Sequence, residues 1–220
     1  MAGAGVEAVI FDMDGVLIDS GAWHRQAWIA LLHELGEVPR PDFWRLTIGR
    51  PSEEAMPLLL GRRMREYEAW ELARRKRDLY VDLSRQGMQP VAGVGAFVEA
   101  LVRHDVPRAI GTSASNADVD RLLREVGLRK HFRVVVTSDD TSSGKPDPEV
   151  YQLAAHRLKV GAAGCVVFED SLVGIEAARR AGMRAIGVST AYGEDELLAA
   201  GAEQVIPHFE GLTWPMIRGE

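Results

Sequence analysis

The sequence predicts an α/β protein with a doubly wound parallel sheet and a small all-helical domain inserted after the first strand. From residue 90 onward, short apolar runs rich in β-branched residues alternate with amphipathic helical stretches. This alternation indicates βαβ units and a parallel sheet. A similar run stands at residues 8–11, whereas residues 20–88 contain helical stretches and no convincing strand. We therefore expect an α/β core at residues 1–19 and 89–220 and a helical cap at residues 20–88.

Each element follows from a local pattern. Six apolar, β-branched runs are expected as strands, at residues 8–11, 108–111, 133–136, 165–168, 184–188 and 204–206. Helical periodicity predicts insert helices at residues 23–35, 52–60 and 64–85, and core helices at residues 117–126 and 148–158. Asp19 and Ser20 are expected to cap the first insert helix, and Asp147 to cap a core helix that begins at Pro148.

The composition argues against nucleic acids and membranes as partners. The formal charge of −6 disfavours the broad basic surface that nucleic-acid binding requires. No apolar run approaches the ~18–20 residues of a membrane span, and residues 1–6 lack the pattern of a secretory signal. Cys165, the single cysteine, lies in an apolar run where a buried thiol is expected. We therefore expect a monomeric cytoplasmic protein without membrane or nucleic-acid partners.

Polar side chains follow four of the predicted strands at the point where each strand ends. Ligands collect at the carboxyl ends of strands in open parallel sheets, because loops and helix N-termini converge there. The side chains expected at this edge are Asp12 and Asp14 after the first strand, Ser113, Ala114 and Ser115 after the second, Lys145 in the loop after the third, and Glu169 and Asp170 after the fourth.

These residue types suit a phosphate ester held on a magnesium ion. Clustered carboxylates repel one another unless a cation neutralises them, and the oxygens of Asp12, Asp170 and Glu169 suit Mg²⁺. Mg²⁺ bridges carboxylate and phosphate oxygens, while Lys145, Ser113 and nearby backbone N–H groups bind the phosphate. Once the phosphate charge is neutralised, Asp12 can attack phosphorus and form an aspartyl phosphate.

Asp14 is expected to act as general acid and base. It lies two residues beyond Asp12, which along an extended chain returns its side chain to the same side. From there it can reach the leaving-group oxygen. Gly15 permits the tight turn that this arrangement needs.

Four segments, DMDGVLIDS, TSAS, GKPDP and FEDSLVGIEAARRAGM, resemble in this order the motifs of the haloacid dehalogenase (HAD) superfamily. The resemblance covers nearly the whole chain and is weakest over residues 36–70. It implies a Rossmann-like core with a helical cap inserted after the first motif, with Asp12 as nucleophile and Asp14 as acid and base. It further implies that phosphate is bound by Ser113 and Lys145, and Mg²⁺ by Asp12, the backbone carbonyl of Asp14 and Asp170, with Glu169 assisting.

Two insert segments, LARRKRDLY and DSGAWHRQAW, resemble the cap of the β-phosphoglucomutases of this superfamily. The resemblance implies that Lys76 and His24 face the substrate, with a packing role as the alternative for His24. The arginines around Lys76 are expected on a solvated helix face, because consecutive helical residues point in different directions. Further candidates for contact with substrate are Gly49, Arg50, Ser52 and Asn116.

One departure from the mutases bears on the reaction. Their cap reads Gly-x-Ser-Arg, with the arginine on the distal phosphate of a bisphosphate, whereas this chain reads Gly49-Arg50-Pro51-Ser52. A mutase must hold its sugar at both ends, so loss of this clamp affects a mutase more than a phosphatase. We therefore expect a Mg²⁺-dependent hydrolase of a small phosphorylated metabolite such as a sugar phosphate. A β-phosphoglucomutase-type phosphohexomutase is the alternative, with Arg50 as substitute clamp.

Other classes fit less well. A dehalogenase expels halide, which needs no proton, so Asp14 argues against that reaction. A phospho-accepting signalling module of the response-regulator type shares the acidic pocket but has no helical insert, and a cap that excludes water suits turnover. The sequences around Gly93 and Lys145 lack the glycines of a dinucleotide fingerprint and of a P-loop.

Overall fold

The computed structural model describes residues 5–218 and contains one sheet of six parallel strands. The strands are β1 (Ala8–Phe11), β2 (Arg108–Gly111), β3 (Val134–Val136), β4 (Cys165–Glu169), β5 (Arg184–Val188) and β6 (Gln204–Ile206). Their order across the sheet is β3-β2-β1-β4-β5-β6. The strands up to β3 are added on one side of β1 and those from β4 onward on its other side, so the strand order reverses between β1 and β4. In doubly wound sheets, ligands bind at this switch point. The predicted strands are confirmed, with bounds within one residue.

A helical insert follows β1. Its helices are α1 (Gly21–Glu34), α2 (Ser52–Leu60) and α3 (Glu66–Ser84), with a 3-10 turn at Phe43–Leu46 between the first two. The insert has its own hydrophobic cluster, formed by buried Trp28, Leu31, Leu32, Phe43, Ala55 and Met56. The helical cap after the first strand is therefore confirmed, while its boundaries at residues 20 and 88 stay a prediction.

The core helices cover both faces of the sheet. Val9 and Phe11 belong to one hydrophobic cluster and Ala8 and Ile10 to another, because alternate side chains of β1 point to opposite faces. The helices that bury residues in the first cluster are α4 (Val94–Arg103), α5 (Asn116–Glu125) and α9 (Trp214–Arg218), and those in the second are α6 (Glu149–Leu158), α7 (Leu172–Arg180) and α8 (Glu194–Ala200). The doubly wound α/β fold is thus confirmed.

Two of the predicted helix caps are wrong. Helix α6 begins one residue later than predicted, with Pro148 at its N-cap, and Asp147 instead accepts a hydrogen bond from the backbone N–H of Glu149 at 3.0 Å. Ser20 stands at the N-cap of α1, but its hydroxyl does not bond the helix and is turned towards Asp14. The hydroxyl therefore belongs to the functional site rather than to the helix start.

Candidate active site

Three carboxylates meet at the switch point of the sheet. Asp12 follows β1, Glu169 ends β4, and Asp170 comes next in the chain. Phe11 and Phe168 are register partners in adjacent parallel strands, so the residues that follow them emerge side by side. One oxygen of each carboxylate lies within 4.8 Å of the others, and all three side chains are buried. Hard oxygen donors at this spacing could hold a divalent metal ion.

A buried ammonium group lies against this cluster. Lys145 Nζ donates to Asp12 Oδ1 at 2.9 Å and to Glu169 Oε1 at 2.6 Å, and its side chain is 1% exposed. Burial raises the pKa of Asp12 to about 7, a shift that Lys145 opposes and that Glu169 and Asp14 increase. Burial and the neighbouring carboxylates also raise the pKa of Asp170. A bound cation would relieve this excess of negative charge.

Glu169 is held by donors on both of its carboxylate oxygens. Besides Lys145, the Tyr151 hydroxyl donates to Oε1 at 2.9 Å. The backbone N–H and the hydroxyl of Ser171 donate to Oε2 at 2.7 and 2.9 Å. Gly174 packs so closely that a Cβ there would lie 1.8 Å from Oε1. Tyr151 and Ser171 were not predicted from the sequence, because their contacts depend on how α6 and α7 pack on the sheet.

The Gly15 turn packs directly against Asp170. Gly15 has a φ of +72°, and a Cβ there would lie 1.8 Å from Asp170 Oδ2. Thr190, just beyond β5, donates to the Gly15 carbonyl at 2.7 Å and lies 3.3 Å from Asp170 Oδ2. The glycine is therefore required both by its backbone conformation and by the space that Asp170 occupies.

The carboxylate of Asp14 lies outside the cluster and contacts the cap. Its Oδ1 accepts hydrogen bonds from Ser20 Oγ at 2.5 Å and from His24 Nε2 at 3.1 Å. His24 Nδ1 accepts from Lys76 Nζ at 2.7 Å, which assigns His24 as the tautomer with its proton on Nε2. Burial raises the pKa of Asp14, but His24, Ser20 and Lys76 outweigh it and hold this pKa below its ordinary value.

Lys76 is the one member of its basic run that is buried. Arg74, Arg75 and Arg77 are exposed, as predicted, whereas Lys76 is 5% exposed. Its ammonium lies 5.0 Å from the centre of the Trp28 ring and 5.3 Å from that of Tyr80, within the range of cation–π contacts. Burial lowers the pKa of Lys76 to about 8.

The loop after β2 brings the predicted phosphate-binding residues to the same edge of the sheet. Ser113 is half-buried there. The Ala114 N–H donates to Thr112 Oγ1 at 3.2 Å, and the Ser115 hydroxyl donates to Asp118 Oδ2 at 2.9 Å. Ser115 also caps α5 by accepting the Asp118 N–H at 3.4 Å. Of the two serine hydroxyls, that of Ser113 is therefore freer to meet a ligand.

Gly49 lies at a contact between the cap and the core. Its carbonyl lies 3.5 Å from Ser113 Oγ, which donates to it. With Gly49 at a φ of +71°, a Cβ would lie 2.4 Å from Ser171 Oγ. The remaining candidates are Arg50 and Ser52, half-buried beside this contact, and Asn116, an exposed residue whose backbone N–H donates to Asp139 Oδ2 at 2.9 Å.

Three further hydrogen bonds join the cap to the core. Arg77 Nε donates to Asp118 Oδ2 at 2.8 Å. Arg45 Nη2 donates to Glu196 Oε1 at 2.5 Å, and the Tyr192 hydroxyl donates to the Arg45 carbonyl at 3.0 Å. The cap is therefore closed over the carboxylate cluster.

Comparison with known proteins agrees with this geometry. Residues 9–188 match the family model described as haloacid dehalogenase-like hydrolase. The chain is 33% identical over 203 residues to the phosphorylated carbohydrates phosphatase of Thermotoga maritima, covering 91% of this chain and 94% of that protein. It is 30% identical over 222 residues to the beta-phosphoglucomutase of Bacillus subtilis, covering 98% and 95%. The crystal structure of beta-phosphoglucomutase from Clostridium difficile matches with a TM-score of 0.85 at 25% identity, covering 97% of this chain and 96% of that one. The chain therefore belongs to the haloacid dehalogenase-like hydrolase family and is a phosphoryl-transfer enzyme.

Proposed function

We propose that this enzyme is a Mg²⁺-dependent hydrolase of a small phosphorylated metabolite, with a sugar phosphate as the favoured class. The observation that carries the proposal is the buried set of Asp12, Asp170 and Lys145, above which the cap brings Lys76 and His24 to Asp14. Two of the relatives are, by name, a phosphatase of phosphorylated carbohydrates and a phosphoglucomutase, which supports the substrate class.

The carboxylate cluster fits Mg²⁺ by charge and by donor type. Asp12 and Asp170 would hold the ion, together with the backbone carbonyl of Asp14, and Glu169 would assist. When bound, Mg²⁺ would neutralise part of the charge of the phosphate and of the carboxylates. Lys145 supplies a positive charge for the phosphate from the protein itself, and Ser113 supplies a hydroxyl donor.

Asp12 is the proposed nucleophile. Its Oδ1 accepts the bond from Lys145, which leaves the other carboxylate oxygen to attack phosphorus. The new bond to phosphorus forms as the bond to the ester oxygen breaks, and that oxygen leaves with a proton as an alcohol. Water then attacks the phosphorus of the aspartyl phosphate, which releases inorganic phosphate and returns Asp12 as a carboxylate.

Asp14 is the proposed acid and base of these two steps. Without substrate its pKa lies below the ordinary value, but a phosphate beside it raises the pKa by adding negative charge. Lys76 and His24 form a hydrogen-bonded chain through which Asp14 can be protonated before it donates to the ester oxygen. The ionised Asp14 then takes a proton from the attacking water.

Hydrolysis is favoured over the mutase reaction by the cap turn at residues 49–52. The Arg50 backbone N–H donates to the Thr47 carbonyl at 3.4 Å, but within residues 5–218 its guanidinium makes no hydrogen bond or ion pair. Its guanidinium is therefore available to substrate, which keeps the phosphohexomutase as the second candidate. Pro51 precedes α2 at its N-cap and fixes the turn, so Arg50 and the mutase arginine leave the backbone at different positions.

A panel of phosphorylated metabolites with Mg²⁺ tests the proposal. We expect release of inorganic phosphate from sugar phosphates, loss of that release in Asp12→Asn, and retention in Asp19→Asn, a matched change at an exposed aspartate. Conversion of β-glucose 1-phosphate to glucose 6-phosphate without net phosphate release would instead establish the mutase. A stable phosphoprotein that passes its phosphate to neither substrate nor water would establish the signalling module. Turnover by Asp12→Asn at the wild-type rate would refute the proposed nucleophile.

Within residues 5–218, no helix is long and apolar enough to cross a membrane. The cytoplasmic location, the monomeric state and the absence of nucleic-acid and membrane partners stay predictions.

A further inference from the structure

We propose that Tyr151 is a positioning residue. Its hydroxyl and the Lys145 ammonium group both donate to Glu169 Oε1, so that Glu169 holds Lys145 less tightly and the ammonium group stays available to phosphate. This inference rests on the proposed function, because it assumes that phosphate binds beside Asp12. The Tyr151 hydroxyl bonds Glu169, and its ring lies against the Lys145 ammonium group. Its effect would pass through Glu169 and Lys145.

The position of the Tyr151 ring is fixed by packing on two elements. Tyr151 is a buried residue in the first turn of α6, and its ring lies on the backbone of Gly111 at the end of β2. A Cβ on Gly111 would lie 3.0 and 3.1 Å from Cδ1 and Cε1 of the ring. The phenol is therefore aimed at the end of β4, where its hydroxyl meets Glu169 Oε1 at 2.9 Å.

Lys145 is shared by two carboxylates that compete for it. Its Nζ lies 2.6 Å from Glu169 Oε1 and 2.9 Å from Asp12 Oδ1. Glu169 Oε1 receives two donors, Lys145 and the Tyr151 hydroxyl, whereas Ser171 serves only Oε2. Without the phenol, Lys145 would be the sole donor to Oε1 and would be drawn away from Asp12 and from the phosphate that Asp12 attacks.

The hydroxyl and the ring of Tyr151 have separate tasks. The Lys145 ammonium lies 5.0 Å from the ring centre, a cation–π contact that Tyr151→Phe keeps. The same change removes the bond to Glu169 and leaves the packing on Gly111. Tyr67→Phe removes a phenol hydroxyl from a 62% exposed tyrosine on the cap and serves as the matched control.

Binding of inorganic phosphate, measured by calorimetry at saturating Mg²⁺, tests the inference without turnover. For Tyr151→Phe we expect phosphate affinity to fall about tenfold, the scale of a lost hydrogen bond to a charged group. The half-saturating Mg²⁺ concentration should stay within twofold of wild type, and Tyr67→Phe should match wild type in both measurements. In a Lys145→Met background, Tyr151→Phe should have no further effect on phosphate affinity, because the residue that transmits its effect is gone.

Four results would overturn the inference. Unchanged phosphate affinity in Tyr151→Phe would show that Lys145 does not depend on the phenol. Equal losses of phosphate and Mg²⁺ affinity, or an undiminished effect in the Lys145→Met background, would show that the hydroxyl supports the whole cluster instead. Wild-type protein that binds no phosphate would overturn the proposed function and this inference with it, whereas the first three results leave the proposed function standing.

Discussion

Gly15→Ala should abolish metal-dependent activity by displacing Asp170. The new Cβ would lie 1.8 Å from Asp170 Oδ2 and 2.9 Å from Thr190 Oγ1. Ordinary contact begins near 3.4 Å, so the Asp170 carboxylate must retreat by roughly 1.5 Å. Mg²⁺ accepts ligands only near ~2.0–2.1 Å, with a tolerance of about 0.2 Å, so the displaced carboxylate could no longer bind it. A misplacement of about 1 Å can cost about 100-fold in rate, and we expect kcat/KM to fall by at least that factor.

Gly127→Ala isolates the clash from the backbone strain. Gly127 has a φ of +73°, close to that of Gly15, but apart from its chain neighbours no atom of residues 5–218 lies within 4 Å of its Cβ position. Both variants should lose about 1–2 kcal/mol of unfolding free energy from the left-handed backbone. Hydrolysis of p-nitrophenyl phosphate over a Mg²⁺ titration, with urea denaturation alongside, separates the two effects. A Gly15→Ala enzyme with the kcat/KM of Gly127→Ala would refute the placement of Asp170 at the metal.

Three further changes test the packing of α7 on Glu169, the burial of Lys76 and the ion pair between Arg45 of the cap and Glu196 of the core. Gly174→Ala causes no backbone strain within its helix but would place a Cβ 1.8 Å from Glu169 Oε1. Phosphatase activity should therefore fall at least tenfold. Activity at the wild-type level would contradict the packing of Gly174 on Glu169. Burial lowers the pKa of Lys76 to about 8 in the folded protein. Between about pH 8 and 10 the unfolded chain therefore binds more protons at Lys76 than the folded protein does, so folded stability should rise with pH in this range. Urea denaturation should show this rise in wild type relative to Lys76→Met. A flat difference between the two proteins across that range would place Lys76 in solvent. Glu196→Gln breaks an ion pair with Arg45 whose side chains are 43% and 41% exposed. Because solvent screens such a pair, the unfolding free energy should stay within the error of urea denaturation. A measurable loss would mean that this contact holds the cap to the core.

The sheet edge was predictable because it depends on chain order and strand polarity. Parallel strands end at the same edge, so Asp12, Asp170 and Lys145 could be brought together from the strand and motif positions alone. The resemblance to a family cap predicted that Lys76 faces the substrate, unlike the arginines around it, but did not predict that Lys76 is buried. Helical periodicity by itself could not distinguish it from the neighbouring arginines, since α3 has polar residues on most of its surface.

The side chains that hold the catalytic carboxylates in place could not be predicted from the sequence, because they contact elements that are distant in the chain. Tyr151 and Glu169 lie on different elements, and Thr190 reaches Gly15 across 175 residues. Ser20 was predicted as a helix cap because serine is among the residue types preferred at that position. Its hydroxyl donates to Asp14, and its backbone is helical, with φ −98° and ψ −9°, rather than extended as at a capping serine.

The proposed mechanism requires that Asp12 becomes phosphorylated during turnover. Quenching the reaction with borohydride reduces an aspartyl phosphate to homoserine, which peptide mass spectrometry can locate. With Mg²⁺ and a sugar phosphate, we predict homoserine at position 12 alone, and none when either Mg²⁺ or substrate is omitted. Turnover that leaves Asp12 unreduced, or homoserine at Asp14 or Asp170 instead, would contradict the account.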